Sequence, residues 1–97
     1  MLRHLVLFDL APDAGDAAVD AAVAALRGLA EEIPEVRELH VGRDAGLAEG
    51  NAGLALLVVT DDEQAWRDYQ DHPAHVRVVN EHVRPVVTGR TAAQLVD

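Results

Sequence analysis

The chain has 97 residues, 17 of them acidic against 8 basic, for a net charge of −9, and it contains no cysteine. That length suits one domain and is too short for two, and such a domain buries only about two-thirds of its unfolded surface, so association with a second copy is the expected support. The acidic balance repels phosphate backbones and anionic lipid, which excludes nucleic acid and membranes as partners. The missing cysteines exclude disulfides, thiolate metal sites and a Cys nucleophile.

Every base is arginine, and the only aromatics are Phe8, Trp66 and Tyr69, too few for a stacking platform. No apolar run approaches the roughly 20 residues of a spanning helix. The N-terminus lacks the pattern of a signal peptide, so a cytoplasmic location is expected. The absent lysine beside abundant Ala, Arg, Val and Asp suggests a GC-rich bacterial genome.

Residues 2–10 (LRHLVLFDL) read as a strand, bounded by the turn residues Pro12, Asp13 and Gly15. His4, Val6, Phe8 and Leu10 share one face and Arg3, Leu5, Leu7 and Asp9 the other. Both faces are apolar in the middle, which predicts a strand covered on both sides. From Asp16 to Glu32 the period changes: Val19, Ala22, Val23, Leu26, Leu29, Ala30 and Ile33 form one helical stripe. Asp13 or Asp16 is the expected cap, and Pro34 ends the helix by pushing its predecessor out of the α region. Gly28, costly inside a helix, suggests close packing on the sheet.

Residues 36–42 (VRELHVG) alternate as a half-buried strand, and the glycine-rich stretch 43–53 reads as a mobile loop. Leu54 to Thr60 is a second strand apolar on both faces. Thr60-x-x-Glu63 and Asp61-x-x-Gln64 both fit a capping box, so a helix starts near residue 61, with Ala65, Trp66 and Tyr69 inward.

Pro73 breaks that helix at His72 and opens another. In the second helix the expected inner stripe is His75, Val76, Val79, His82 and Val83, with Arg77, Asn80, Glu81 and Arg84 outward. A last strand lies between Val86-Val87 and Leu95-Val96. The order β-α-β-β-α-(α)-β defines an α+β, ferredoxin-like plait filling residues 1–97 as one domain.

Chemistry concentrates in Asp68-Tyr69-Gln70-Asp71-His72-Pro73-Ala74-His75. His75 falls at the third position of the helix opened by Pro73. A helix N-terminus and apolar burial both disfavour its cationic form, which leaves a neutral imidazole able to act as a general base. Tyr69 can aim its hydroxyl into the same space and polarise a carbonyl. His4 faces the same interior from the first strand. The same residues also fit a structural reading, in which the imidazole ties the kinked junction and the phenol is core.

His82 reads as a half-buried helix residue, and His40, beside Glu38, as a surface one. His72-x-x-His75 with Asp68 and Asp71 supplies zinc-type ligands, but Pro73 splits the pair between two segments, so no metal site is assigned. No phosphate-cradling glycine pattern exists, and the chain has no serine.

The opening Met1-x-x-His4 before an apolar strand, Ile33-Pro34-x-Val36, Val41-Gly42 and Tyr69-x-x-His72-Pro73-x-His75 together resemble the Dabb family, the stress-responsive dimeric α+β barrel proteins, over nearly the whole chain. The resemblance implies a homodimer closed sheet to sheet, with Leu5, Leu7 and alternate residues of 54–60 in its core. It also implies similarity to plant polyketide cyclases of the family, which close a linear polyketide by aldol condensation. On that analogy His75 takes the proton α to a carbonyl, Tyr69 orients the substrate oxygen and His4 assists. Val6, Phe8, Val23, Leu26, Leu39 and Leu56 would then line a pocket for a small apolar or carbonyl-containing ligand, without a cofactor.

Two departures stand out. Ala22, Val23 and Leu26 replace the aromatics that those cyclases carry on the first helix, which implies a different pocket shape. Thr88-Gly89-Arg90-Thr91 is expected to lengthen the route into the last strand. The functional expectation is a cofactor-free cyclase or lyase using His75 as its base. The alternative is a non-catalytic, stress-responsive or ligand-binding dimer; a cofactor-free monooxygenase has no feature selecting it.

Overall fold

A computed structural model describes residues 1–97. The chain runs through β1 (Leu2–Leu10), α1 (Asp16–Glu32), β2 (Glu38–Arg43), β3 (Leu54–Thr60), α2 (Glu63–Asp71), α3 (Pro73–Val78) and β4 (Val87–Val96), with a π-helical turn at Val79–Val83 and a 3-10 turn at Arg84–Val86 before β4. The four strands form an antiparallel sheet in the order β2-β3-β1-β4. This is the ferredoxin-like arrangement, with all helices on one side.

The strand alternation decides which face they cover. Leu2, His4, Val6 and Phe8 of β1 and Leu54, Leu56, Val58 and Thr60 of β3 are buried beneath the helices. From α1, Val19, Ala22, Leu26 and Leu29 seal them, joined by Ile33. The opposite face is not covered by the helices, and only its margin, at Val59, is buried within the protomer. Leu5 and Leu7 are 40% and 48% exposed, and Leu95 of β4 is 51% exposed. The apolar second face predicted for β1 and β3 therefore exists; Val59 is buried at its margin, but its centre at Leu5 and Leu7 stays open in one copy of the chain.

Several local expectations are corrected. No side chain caps α1: Gly15 occupies the cap position, while Asp16 lies in the first turn with its carboxylate 3.5 Å from Arg43. Gly28 approaches nothing, since a Cβ there would meet no atom within 4 Å. The glycine that does permit close approach is Gly53, whose Cβ would sit 2.5 Å from Leu10 Cγ. β2 starts at Glu38 instead of residue 36, because the Val36 N–H is taken by the Ile33 carbonyl (3.1 Å) in the turn after α1. The 43–53 loop is tied by Asp44, which accepts from Gly46 N and Asn51 Nδ2.

Neither expected capping box forms. Asp62 caps α2 by accepting from Ala65 N at 2.9 Å, Asp61 is held by Arg37, and Thr60 donates to the Asp62 carbonyl. After Pro73 the fully buried residues are Ala74, Val78, Val83 and Val86, while His75, Val76, Val79 and Val83 of the expected stripe border a cavity under the helices, Val76 at its open side with 46% exposure. The π turn lets Val83 join Val78 in the core: the two are five residues apart, a spacing that faces one way only when an extra residue is inserted. Finally, Thr88–Thr91 does not lengthen the route into β4. Arg90 and Thr91 already pair with Phe8 and Leu7, and one register shift at Asp9/Leu10 absorbs the irregularity.

Candidate functional site

The sheet and the α2–α3 junction do not pack completely against each other, and a cavity of about 470 Å³ lies between them. Its floor is β1 and β3, through His4, Val6, Phe8 and Leu56, with Leu26 of α1 at one side. Tyr69 and Gln70 of α2 and His75 of α3 form the wall, and Asn80, Arg84 and Arg90 also border it.

Pro73 creates this wall. Without a backbone N–H it cannot continue α2, so the chain turns at His72, whose Nδ1 accepts from Ala74 N at 3.0 Å and caps α3. His72, weighed above as a zinc ligand, therefore has a capping role. No group of three or more His, Asp and Glu side chains is placed to hold a metal ion. The bend brings the rings of Tyr69 and His75 together, tilted by 58° with centroids 4.6 Å apart.

The imidazole of His75 is fixed by one bond. Its Nδ1 lies 3.0 Å from the Gln70 carbonyl, and a carbonyl only accepts, so Nδ1 carries the proton and Nε2 keeps the free lone pair. Burial pushes the His75 pKa below the usual histidine value. The bond to Gln70 opposes that shift, Arg90 adds to it, Asp71 opposes it and His72 adds to it. His75 is thus held neutral near pH 7.

Tyr69 is fully buried, and burial raises its pKa, so it stays a phenol. Its hydroxyl has no hydrogen-bond partner in the protein. A buried donor left unpaired costs about 1–3 kcal/mol, a cost that a ligand carbonyl at this point would remove. His4, 2% exposed, has its ring 6.4 Å from that of Tyr69 and 5.7 Å from that of Trp66. Gln94 of β4 donates to His4 Nδ1 at 2.8 Å, which places the proton on Nε2. Burial first, then Arg90 and His75, lower its pKa to about 4.

Of the residues singled out in the sequence, the cavity gathers His4, Tyr69, His75, Val6, Phe8, Leu26 and Leu56. Val23 and Leu39 fall outside its lining and pack half-buried against the core. His40 sits on the surface 3.6 Å from Glu38, and His82 is half-buried outside the lining. Gln70, Asn80, Arg84, Arg90 and Gln94 were not anticipated. The signal for two of them is register: Arg90 and Gln94 stand opposite Phe8 and His4, hence on the covered face.

Comparison with known proteins agrees with this architecture. The model of the stress-responsive A/B barrel domain matches residues 2–97. A dimeric ferredoxin-like protein of unknown function from Thermobifida fusca is 33% identical, with a TM-score of 0.91 over 99% of this chain and 90% of that one. A Dabb family protein from Mesorhizobium loti has 21% identity and a TM-score of 0.83, covering 99% of this chain and 95% of that one. The hydroxynitrile lyase of Passiflora edulis has 16% identity and a TM-score of 0.86, covering 99% and 92%. The last two share the fold alone. No curated protein sequence matches the chain.

Proposed function

The chain belongs to the stress-responsive A/B barrel (Dabb) family, and from that premise we propose that it is a homodimer in which each protomer holds a cofactor-free lyase- or cyclase-type site acting on a carbonyl compound. The dimer reading rests on the uncovered sheet face, where Leu5, Leu7 and Leu95 stand exposed, and on the dimeric state of the Thermobifida relative. It gives the missing cover to both sheets at once.

One observation carries the catalytic reading. The Gln70 carbonyl fixes the tautomer of a partly buried, neutral His75, leaving Nε2 as a base beside an unpartnered Tyr69 hydroxyl in a mostly apolar cavity. A brace at a helix junction would satisfy both groups; here one is left with a lone pair and the other with a proton. In the proposed step His75 Nε2 takes the proton from the carbon α to a carbonyl, and Tyr69 donates to the oxygen that becomes the enolate. In a cyclisation the enolate carbon then attacks a second carbonyl of the same chain, and the proton returns from His75 to the new alkoxide. A lyase runs the sequence in reverse: His75 takes the hydroxyl proton, the carbonyl forms as the carbon–carbon bond breaks, and the departing carbanion (an enolate from a β-hydroxyketone, cyanide from a cyanohydrin) takes the proton back from His75.

The test is a panel of cyanohydrins, β-hydroxyketones and linear poly-β-ketones followed by chromatography, with wild type, His75→Ala and Tyr69→Phe. The expected result is turnover by wild type that His75→Ala lowers by about 10²–10⁴-fold while dimer and fold survive. Tyr69→Phe should also lower turnover, yet melt no earlier than wild type, because its hydroxyl bonds nothing in the protein. If His75→Ala and Tyr69→Phe both melt earlier and no compound turns over, the residues brace the junction and the protein is a binding dimer.

A further inference from the structure

The arginines are distributed unevenly in what they contact. Arg3 bonds Asp97, Arg37 bonds Asp61, Arg43 bonds Asp20, Arg67 bonds Glu63, Arg77 bonds Glu32, and Arg27 donates to the Val41 carbonyl. Only Arg84 and Arg90 have no hydrogen bond or ion pair, and both border the cavity of Tyr69 and His75. In a chain with 17 acids against 8 arginines, an unpaired cation is not the default, and two from different elements at one cavity less so. Arg84 comes from the 3-10 turn and Arg90 from β4. We propose that the cavity takes an organic acid, its apolar body against Val6, Phe8 and Leu56 and its carboxylate held by Arg84 and Arg90.

The guanidinium presents paired donors that match a carboxylate, and a site with low-dielectric walls strengthens that attraction where the rest of an acidic protein would repel an anion. Arg90 is exposed at the border of the cavity, and its charge reaches inside, where it lowers the proton affinity of both His4 and His75. A bound carboxylate opposes that charge and returns basicity to His75 as the substrate arrives. Asn80, on the same lining, supplies a further donor. One carboxylate on a mostly apolar body fits this lining better than a multiply charged head, because only these two cations are free.

This inference names the substrate class of the proposed site and rests on that reading only in taking the cavity as the place where ligand binds. Calorimetric titration of the intact protein with 3-phenylpropionate and octanoate, against 3-phenylpropionamide and octanamide, tests it. In wild type the acids should bind about tenfold or more tightly than the amides. In Arg84→Gln/Arg90→Gln that preference should collapse, with amide affinity and melting temperature unchanged. Equal binding of acid and amide, no binding of either, or a preference surviving in the double variant overturns it. Tighter binding of octyl phosphate than octanoate overturns the carboxylate assignment in favour of a phosphate. The two proposals fail separately. Acid preference without turnover removes the general base alone, whereas turnover of neutral carbonyls without acid preference removes the organic acid alone.

Discussion

The two faces of the sheet are built from alternate residues of the same strands and end in opposite states. On the helix side, Val6 is 1% exposed and His4, a polar group, is 2% exposed; on the other side Leu5 and Leu7, both leucines, are 40% and 48% exposed. Hydrophobicity therefore does not sort these positions within one protomer. What sorts them is where the chain's own helices fall, and the open face keeps an apolar centre that a second copy would cover. His4 lies on the closed side, where burial changes its chemistry, while the charged Arg3 and Asp9 lie on the open one.

The sharpest way to break this contrast is to place a carboxylate on each side of one peptide bond. Val6→Asp puts an unpaired charge into the core and should abolish folding, a loss of several kcal/mol. Leu7→Asp, one residue on, should leave the protomer folded and weaken the proposed dimer by roughly a hundredfold or more, because an isologous interface meets the change twice. Light scattering after gel filtration, read beside circular dichroism, separates the outcomes. A Leu7→Asp protein that remains dimeric would show that the open face is not the contact.

The same contrast explains what was legible in the sequence. β1 and β3 could be read because period-two alternation survives in LRHLVLFDL and LALLVVT, and α1 because its stripe keeps one phase from Val19 to Ile33. After Pro73 the stripe His75, Val76, Val79 and Val83 was found, but not that Ala74 and Val78 are buried beside it; the π turn that lets Val78 and Val83 share the core has no residue type to announce it. His4, Tyr69 and His75 were found by position and by the Tyr-x-x-His-Pro-x-His spacing. Arg84, Arg90 and Gln94 were not, since their place depends on a strand register and a turn phase that act over distance. Which arginines are free is likewise a property of the folded surface: it follows from where Asp61, Asp20, Glu63 and Glu32 land.

A second test concerns charge on the closed face. His4 is neutral because burial, Arg90 and His75 lower its pKa to about 4, while the unfolded chain titrates near the ordinary value of 6.5. Below 6.5 the unfolded state binds the proton and the folded state does not, so stability falls as pH drops from about 6.5 towards 4. Arg90 and His75 both act against protonation, and Gln94 donates to the ring nitrogen that a second proton would need. His4→Asn should flatten this part of the melting-temperature profile without removing the acid loss due to His75, whose shift has the same sign. An unchanged profile would mean that His4 is protonated when folded.

The smallest effect probes the edge between the two regions. Gly28 is half-buried in α1, between Leu26 and Leu29 which close the helix face, and a methyl group added to it meets no atom within 4 Å. Its backbone is helical, so alanine fits without strain, and the substitution removes chain entropy from the unfolded state. Gly28→Ala should therefore stabilise the protein by about 0.5–1 kcal/mol in urea denaturation, with no change in association. Leu26 and Leu29 would then suffice to close that side, and the glycine would have no packing role. If Gly28→Ala instead destabilises the protein or weakens the dimer, the close contact that a helical glycine permits must come from outside the protomer. The interface would then reach around the sheet edge to α1 and would not be confined to the open face.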